Sequence, residues 1–406
     1  MINVFFVAPM FSPAATQMIE AAVAFPGSRV CVIAQDPLSR LDPAVASRIA
    51  GHWQVDDVTD PLSLKKAVRG LAARHGPPER CFGAYEQLQE PLARVREDLG
   101  IPGLSSVAAL NFRDKARMKD RLRDAGVSVA RHRLIGSRDD AVAFVGDVGF
   151  PIVVKPPAGA GARNTHRISD AAELEAALFT YRPSPTDPML AEEFLRGTEH
   201  SIETVSIGGK AVWHSITEYA PNPLHVLENP WMQWCVLLPR EADTQAFDGI
   251  RSAASHALHA LGMVTGLSHC EWFRRPDGSV AISEIGARPP GAQITTMISR
   301  AHDMDFVSAW VELMIAGTFT APPRQYAVGT AYLRGQGRGV VRSIDGLEIV
   351  QRELGALICD SRIPVAGQVP TGSYEGEGFI IVRHPDTDVV RQALQRIVSV
   401  VRVRLA

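Results

Sequence analysis

The 406-residue sequence predicts a protein of the α/β and α+β classes, with an amino-terminal parallel-sheet domain, a central α+β domain and a β-rich carboxy-terminal unit. Three observations carry this prediction. Short apolar strands alternate with helical patterns over residues 1–110, strands follow one another between residues 189 and 219, and a Gly-rich, β-like stretch begins near residue 324. A chain of this length typically divides into about two or three domains, each with its own core.

The amino-terminal region has the βαβα rhythm that places strands in parallel within one sheet. Its second helix starts at Pro61 directly after Asp60, the order expected of a helix cap and a first helical residue. No GxGxxG sequence is present there, so a dinucleotide site is not predicted. The pattern predicts strands at 4–8, 29–34 and 81–84, and helices at 13–24, 61–74 and 85–99.

Beyond residue 110 the pattern changes to longer helices and paired strands. Helices are predicted at 111–125, 139–145, 171–178, 247–261, 294–316 and 388–401. Strands are predicted at 127–134, 151–155, 189–195, 198–207 and 211–219. The turn-rich residues 183–188 are predicted to be a flexible connection.

Composition narrows the classes of function. The formal net charge is −2, which predicts no attraction to nucleic acid or to an anionic membrane. No run is long and apolar enough to span a bilayer, and the apolar start lacks the basic residues and cleavage site of a signal peptide. Five scattered cysteines without a CxxC pair indicate a reducing, cytoplasmic location and argue against a zinc site.

The most informative window contains Glu271 and Glu284, which flank the turn Arg275-Pro-Asp-Gly278. Two strands joined by this turn bring both carboxylates to one face. Paired carboxylates suit Mg²⁺, which leaves its other coordination positions to substrate phosphates. Arg288 follows at once, and a Gly-bearing turn then leads into a helical segment, so the window suggests phosphoryl transfer. The alternative is an ordinary solvated hairpin.

A second window joins a strand to a Gly-rich loop. Lys155 ends the apolar strand and residues 156–164 follow as the loop, whose backbone N–H groups could close over phosphate oxygens. Only six of the 42 basic residues are lysines, so a lysine in a special setting indicates a need for its compact charge. Asn164 is expected in the left-handed region, which Asn tolerates well. The loop is not a Walker motif, and a plain hairpin is the alternative.

A third window, residues 191–203, places acidic residues on a strand–turn–strand unit. A carboxylate there could accept hydrogen bonds from ribose hydroxyls, and Phe194 and Leu195 could cover a purine. The alternative is an exposed acidic hairpin.

Taken in order, these pieces resemble the ATP-grasp superfamily. They are Lys115, Lys155 with its Gly-rich loop, the hinge from Glu192 to Glu199, Glu271, and Glu284 with Arg288. The resemblance implies an ATP-grasp fold over residues 111–323, including a lid subdomain at about 127–188. It also implies a Rossmann-like pre-ATP-grasp domain at 1–110 and a carboxy-terminal α+β subdomain at 324–406.

The resemblance implies a role for each matching position. Contacts to ATP are expected from Lys115, Lys155, Gly159, Gly161, Glu192, Phe194, Leu195 and Glu199. Glu271 and Glu284 are expected to hold one or two Mg²⁺ ions, for which Mn²⁺ could substitute. Arg288 is expected to stabilise the transferred phosphoryl group. His269 is expected either to approach the acyl phosphate or to be a hydrogen-bonded structural residue.

Two positions depart from the family pattern. Gly286 stands where many members have a metal-binding Asn, and Ala162 stands where the lid usually has a Ser. Neither change removes a charged group, so activity is expected.

The EIGARPPG form of the signature most resembles the carboxylate–amine ligase branch, including L-amino-acid ligases that make dipeptides. The resemblance implies ATP-dependent activation of a small carboxylate as an acyl phosphate and its transfer to an amine. Two alternatives stay open: a carboxylase-type enzyme that activates bicarbonate, and a nucleotide-binding regulator without turnover.

Substrate contacts are expected from a Gly-bearing turn and from the aromatic loop at 221–234. These expected contacts are Gly291, Trp231, Trp234 and Arg334. Trp231 and Trp234 could equally be core residues, and Arg334 an ordinary surface residue. Related enzymes commonly dimerise, so a homodimer is also an expectation.

Overall fold

A computed structural model describes residues 1–159 and 164–406. Its amino-terminal region is a βα-alternating layer. The elements are β1 (Ile2–Ala8), α1 (Pro13–Ala24), β2 (Ser28–Ala34), α2 (Pro43–Ala46), β3 (Gly51–Gln54), α3 (Pro61–His75), β4 (Arg80–Phe82) and α4 (Gln89–Leu99). The strands form a parallel sheet in the order β3-β2-β1-β4, which confirms the parallel arrangement. Strand β3 was not predicted, because its four residues include no apolar alternation.

The next region contains two consecutive helices and a small sheet. The elements are α5 (Ser106–Arg113), α6 (Lys115–Asp124), β5 (His132–Ile135), α7 (Arg138–Val148), β6 (Ile152–Lys155), β7 (His166–Ile168), α8 (Ala171–Tyr181) and β8 (Met189–Glu193). The sheet order among the described strands is β5-β8-β6-β7. A small apolar core, including Phe144 and Leu174, lies between this sheet and helices α7 and α8.

The single helix predicted at 111–125 is wrong, because the chain forms two helices that meet at Asp114. Asp114 has extended backbone angles, and its carboxylate accepts a hydrogen bond from the Arg117 N–H. It therefore ends α5 and caps α6. The predicted helix at 294–316 is also two helices, since Asp303 adopts a left-handed conformation and Asp305 caps the second one.

The central region supplies most of the largest sheet. Its elements are β9 (Thr198–Ile207), β10 (Lys210–Ala220), α9 (Pro223–Glu228), β11 (Trp234–Leu238), α10 (Asp248–Leu261), β12 (Gly266–Arg274), β13 (Val280–Gly286), α11 (Ile294–His302) and α12 (Phe306–Ala316). The carboxy-terminal elements are β14 (Ala327–Leu333), β15 (Gly335–Gly337), β16 (Val341–Asp345), α13 (Leu347–Leu354), β17 (Ile358–Arg362), β18 (Gly378–His384), α14 (Thr387–Val400) and β19 (Arg402–Leu405).

The large sheet continues across residue 324. Among the described residues its order is β13-β12-β9-β10-β11-β14-β18-β17, so carboxy-terminal strands pair directly with central ones. Strands β15, β19 and β16 form a separate small sheet. No helix in the described part of the chain is both long and apolar enough to cross a membrane.

Candidate active site

A cavity of about 850 Å³ opens where the amino-terminal, lid and central regions meet. Its wall contains most of the residues predicted to form the site: Lys115, Lys155, Gly159, Glu192, Phe194, Leu195, Glu199, Trp234, His269, Glu271, Glu284, Arg288 and Gly291. Lys115 and Gly291, the first and last of these residues, are 176 positions apart in the sequence. The fold therefore gathers them into one concave surface, the usual form of a small-molecule site.

The two predicted metal-binding carboxylates lie side by side. Strands β12 and β13 are antiparallel, and Glu271 is directly opposite Glu284 in their register. Side chains of opposite residues share a face, with Cβ atoms about 5 Å apart. A β-bulge follows, because Trp272 pairs with Ile282 and leaves Ser283 without a ladder partner. Bulges of this kind commonly re-aim side chains beside active sites.

Lysine ammonium groups face these carboxylates. The Lys115 Nζ lies 2.9 Å from Glu284 Oε1 and donates a hydrogen bond to the Gly159 carbonyl at 3.0 Å. Burial alone favours the neutral acid, but Lys115 and Lys155 lower the pKa of Glu284 to about 2. Glu284 is therefore ionised at neutral pH, as a metal-binding carboxylate needs to be.

The donor set fits Mg²⁺. Two carboxylates on one face, with open cavity beside them, match an ion that takes one or two protein carboxylates and fills its other positions with phosphate oxygens and water. Within residues 1–159 and 164–406, no cluster of three or more His, Cys, Asp or Glu residues could hold a metal without such extra ligands.

A side chain at position 286 would disturb the contact between Glu86 and Arg288. A Cβ there would lie 2.9 Å from Oε2 of Glu86, which is itself bonded to the Arg288 Nε at 2.7 Å. Glu86 therefore occupies the space that a side chain at position 286 needs. Glu86 was not among the predicted site residues because it lies 202 positions before Arg288.

His269 lies between two carboxylates. Its Nδ1 is 2.8 Å from Glu203 Oε1, and its Nε2 is 3.6 Å from Glu271 Oε1. Burial lowers the pKa of His269, but the hydrogen bond to Glu203 and the nearby Glu271 carboxylate outweigh it and raise the pKa to about 9. The imidazole is thus a cation at neutral pH. Glu203 is fully buried and also accepts hydrogen bonds from Ser201 and Thr217.

The predicted hinge, Glu192 to Glu199, also lines the cavity. The Glu192 carboxylate, however, is not free to contact an adenine as the sequence predicts. This carboxylate is buried and lies 3.0 Å from Lys155 Nζ and 3.1 Å from Lys119 Nζ. The side chain therefore pairs with lysines and does not present a free carboxylate beside an adenine. Phe194 and Leu195 line the cavity, and the Arg167 guanidinium lies 5.8 Å from the Phe194 ring centre.

Glu199, the predicted ribose contact, is buried in the cavity wall. Burial, together with the charge of Glu271, raises the pKa of Glu199 well above its ordinary value. Its backbone N–H donates to the side-chain oxygen of Asn222 at 3.1 Å, which ties β9 to the start of α9.

The start of the Gly-rich loop is fixed by α5 and α6. The Lys115 N–H donates to the Pro157 carbonyl, and Arg113 and Lys115 both donate to the Gly159 carbonyl. Asn164 has a φ of 55°, which confirms the left-handed position. Gly161 and Ala162 lie outside the described residues.

The four predicted substrate contacts separate into two groups. Gly291 lines the cavity before α11, and Trp234 reaches it from the core, stacked on Tyr332 with ring centres 4.8 Å apart. Trp231 is 65% exposed and does not line the cavity, so the structure does not bring it to the site. Arg334 is buried and donates to the carbonyls of Val226 and Met232. It therefore holds the 221–234 segment, and the structure does not bring it to the cavity wall.

Comparisons with known proteins agree with this geometry. The sequence matches the ATP-grasp domain family over residues 120–302. It is 26% identical over 281 residues to the L-arginine-specific L-amino acid ligase of Bacillus subtilis, covering 67% of this chain and 66% of that protein. It is 25% identical over 247 residues to the alanine–anticapsin ligase of Bacillus subtilis, covering 56% of this chain and 52% of that protein. The chain thus matches between about half and just under two thirds of these relatives' lengths.

Solved structures share the whole architecture. The L-amino acid ligase of Bacillus licheniformis superposes with a TM-score of 0.79 at 19% identity, covering all of this chain and 99% of that one. A phosphoribosylglycinamide synthetase of Anaerococcus prevotii superposes with a TM-score of 0.72 at 14% identity over the full length of both. Residues 120–302 are therefore an ATP-grasp domain, and the chain as a whole shares its fold with these solved structures.

Proposed function

We propose that the protein is an ADP-forming carboxylate–amine ligase, which activates a small carboxylate, such as that of an amino acid, with ATP and joins it to an amine. The observation that carries the proposal is the opposed arrangement of Glu271 and Glu284 against Lys115, Lys155 and Arg288 in one cavity wall. Phosphoryl transfer depends mainly on placing charges around the transferred group, and this wall supplies charges of both signs.

In the first step a carboxylate oxygen of the substrate attacks the γ-phosphorus of ATP. The bond between that phosphorus and the β,γ-bridging oxygen breaks, and ADP leaves with the electron pair. Lys115 and Lys155 are proposed to bind the phosphates, and Arg288 to stabilise charge on the transferred group. When bound at Glu271 and Glu284, Mg²⁺ neutralises phosphate charge.

In the second step the nitrogen of the amine substrate attacks the acyl carbon. Phosphate leaves, and the nitrogen loses a proton to give the amide. Acyl phosphates react with water, so the reaction needs a closed site. We assign His269 the task of orienting Glu271, because it is protonated and lies between Glu203 and Glu271.

The remaining cavity residues are assigned by position. Phe194 and Leu195 are proposed to cover the adenine, and Glu199 to accept hydrogen bonds from ribose. Gly291 precedes α11, whose start has no side-chain cap among the described residues and is proposed to meet an anionic substrate group. A homodimer and a cytoplasmic location stay predictions.

The test is release of ADP and phosphate from ATP with Mg²⁺ across a panel of amino acids, alone and in pairs. We expect release that requires both a carboxylate and an amine, with a condensed product detected by mass spectrometry. Release with bicarbonate alone would support the carboxylase alternative. Binding of ATP without turnover across the panel would support the regulator.

A matched variant tests the metal assignment. Glu284→Gln keeps the side-chain volume but removes the charge, so we expect ADP formation to fall by about 100-fold or more, with unchanged thermal melting. Glu353→Gln, at an exposed ion pair with Arg396, is the control and is expected to be fully active. Turnover retained by Glu284→Gln contradicts the assignment.

A further inference from the structure

Lys119 is a fully buried lysine that the proposed chemistry does not use. It lies four residues after Lys115 on α6, so both side chains project from one helix face. Lys115 lines the cavity, whereas Lys119 lies behind the wall with no exposed surface. A buried ammonium needs compensating partners to be tolerated in the folded state.

Its partners lie on β8, which carries Glu192, and on β13, which carries Glu284. The Lys119 Nζ lies 3.1 Å from Glu192 Oε1 on β8, whose other oxygen lies 3.0 Å from Lys155 Nζ. The same ammonium donates a hydrogen bond to the Ser283 carbonyl on β13. Lys119 therefore touches the carboxylate that holds Lys155 and the residue that precedes Glu284.

The Ser283 contact is specific to the bulge. Ser283 is the extra residue of the β12–β13 hairpin, so it has no ladder partner in the strand register. Lys119 supplies a donor to this residue's carbonyl at the point where the strand is re-aimed. The next side chain along the strand is Glu284, which faces Lys115.

We propose that Lys119 is a positioning residue for ATP, acting on Lys155 through Glu192 and on Glu284 through the Ser283 bulge. This inference rests on the proposed function, because it takes Lys155 and Glu284 as the groups that meet the phosphates and Mg²⁺. Lys119 itself lies behind the cavity wall and does not touch the nucleotide.

The physical reason is charge sharing. With Lys119 present, the Glu192 carboxylate is shared between two ammonium groups, and Lys155 keeps part of its charge for the cavity. Without Lys119, Glu192 is balanced by Lys155 alone and draws that ammonium away from the phosphates. The bulge carbonyl also loses its donor, so the direction of Glu284 is less well fixed.

The test is the affinity for ATP in the presence of Mg²⁺, measured by isothermal titration calorimetry on Lys119→Met. We expect the dissociation constant to rise at least 10-fold, and the KM for ATP to rise while the KM for the carboxylate substrate stays unchanged. Arg96→Met is the matched control, since Arg96 is a buried cation that does not line the cavity and donates to the carbonyls of Cys81 and Leu104. This control is expected to lose thermal stability without losing ATP affinity.

A double variant tests whether Lys119 acts through Glu192. Lys119→Met with Glu192→Gln removes both members of the pair and leaves no unpaired charge between them. If the two substitutions acted independently, their separate fold increases in the ATP dissociation constant would multiply. We expect the dissociation constant of the double variant to be at least threefold lower than that product. The inference is overturned if the two single effects on the dissociation constant simply multiply in the double variant, or if Lys119→Met binds ATP with wild-type affinity. Either result leaves the proposed function standing. A wild-type protein that fails to bind ATP overturns the proposed function and this inference with it.

Discussion

His200 is a buried histidine whose surroundings favour the neutral ring. It stacks on Trp272 with ring centres 4.5 Å apart, and its Nε2 lies 2.8 Å from the Thr198 hydroxyl. Burial, with the nearby charge of Arg274, lowers the pKa of His200 to about 4. The histidine of the unfolded chain has its ordinary pKa of about 6.5. Below that pH the unfolded state binds a proton that the folded state does not.

This difference predicts a pH-dependent stability. The free energy of unfolding should fall as the pH drops from 6.5 towards 4, by about 2 kcal/mol from this residue. His200→Phe keeps a ring against Trp272 but binds no proton, so urea unfolding across this pH range should show a shallower slope. His256→Gln, on the exposed face of α10, is the control. An unchanged slope in His200→Phe contradicts the prediction.

The sequence predicts those site residues that stand within a local sequence motif. Glu271, Glu284, Lys155 and Arg288 each stand in a recognisable strand, turn or loop pattern, and the structure gathers them in one cavity. Residues whose role depends on distant partners were missed. Lys119 lies 164 positions from its Ser283 acceptor, and nothing in the local pattern distinguishes it from an exposed helix lysine.

At the level of secondary structure, the junction of α5 and α6 places Lys115 at the first turn of a helix. Asp114 caps α6, and the Lys115 N–H donates to the Pro157 carbonyl at the start of the Gly-rich loop. The helical pattern at 111–125 conceals this junction, because the residues on both sides of Asp114 favour helix. Only the carboxylate-to-backbone contact breaks the pattern, and sequence periodicity does not reveal it.

Asp114→Ala tests the junction. Loss of the cap should lower the free energy of unfolding by about 1 kcal/mol. It should also raise the KM for ATP several-fold, because Lys115 and the loop contact lose their fixed position. Asp60→Ala removes an equivalent cap from α3, where Asp60 accepts from the Leu62 and Ser63 N–H groups. This control should lose similar stability with an unchanged KM; if both variants bind ATP alike, the junction has no special role.

Across the whole molecule, the cavity is closed by contacts between regions distant in sequence. Glu86, from the amino-terminal region, pairs with Arg288 of the central region at 2.7 Å. Burial alone lowers the pKa of Arg288, but Glu86 outweighs it and raises the pKa. Since the guanidinium stays charged in either case, the contribution of Glu86 is to fix where that charge points.

We therefore expect the Glu86→Gln variant to lose part of its activity. The amide can still accept a hydrogen bond from Arg288 but no longer pairs with its charge, so kcat should fall by about 10-fold. The change can be followed by steady-state ADP release, with the KM for ATP expected to stay within about twofold. Arg288→Met should reduce kcat further, by about 100-fold or more. Glu86→Gln with full activity would show that the amino-terminal region does not orient Arg288.

The large sheet limits how the regions of this protein can be exchanged. Its eight described strands form one continuous sheet from β13 to β17. The metal hairpin lies at one edge, and the carboxy-terminal strands continue the same hydrogen-bonded ladder through the β11–β14 pair. A recombination event near residue 324 removes β14 and leaves one edge of β11 without partners, because only its pairing with β10 remains. A flexible linker between the regions would not carry this cost in stability. The central and carboxy-terminal regions therefore form one hydrogen-bonded unit, and replacing either of them alone exposes an edge of the sheet.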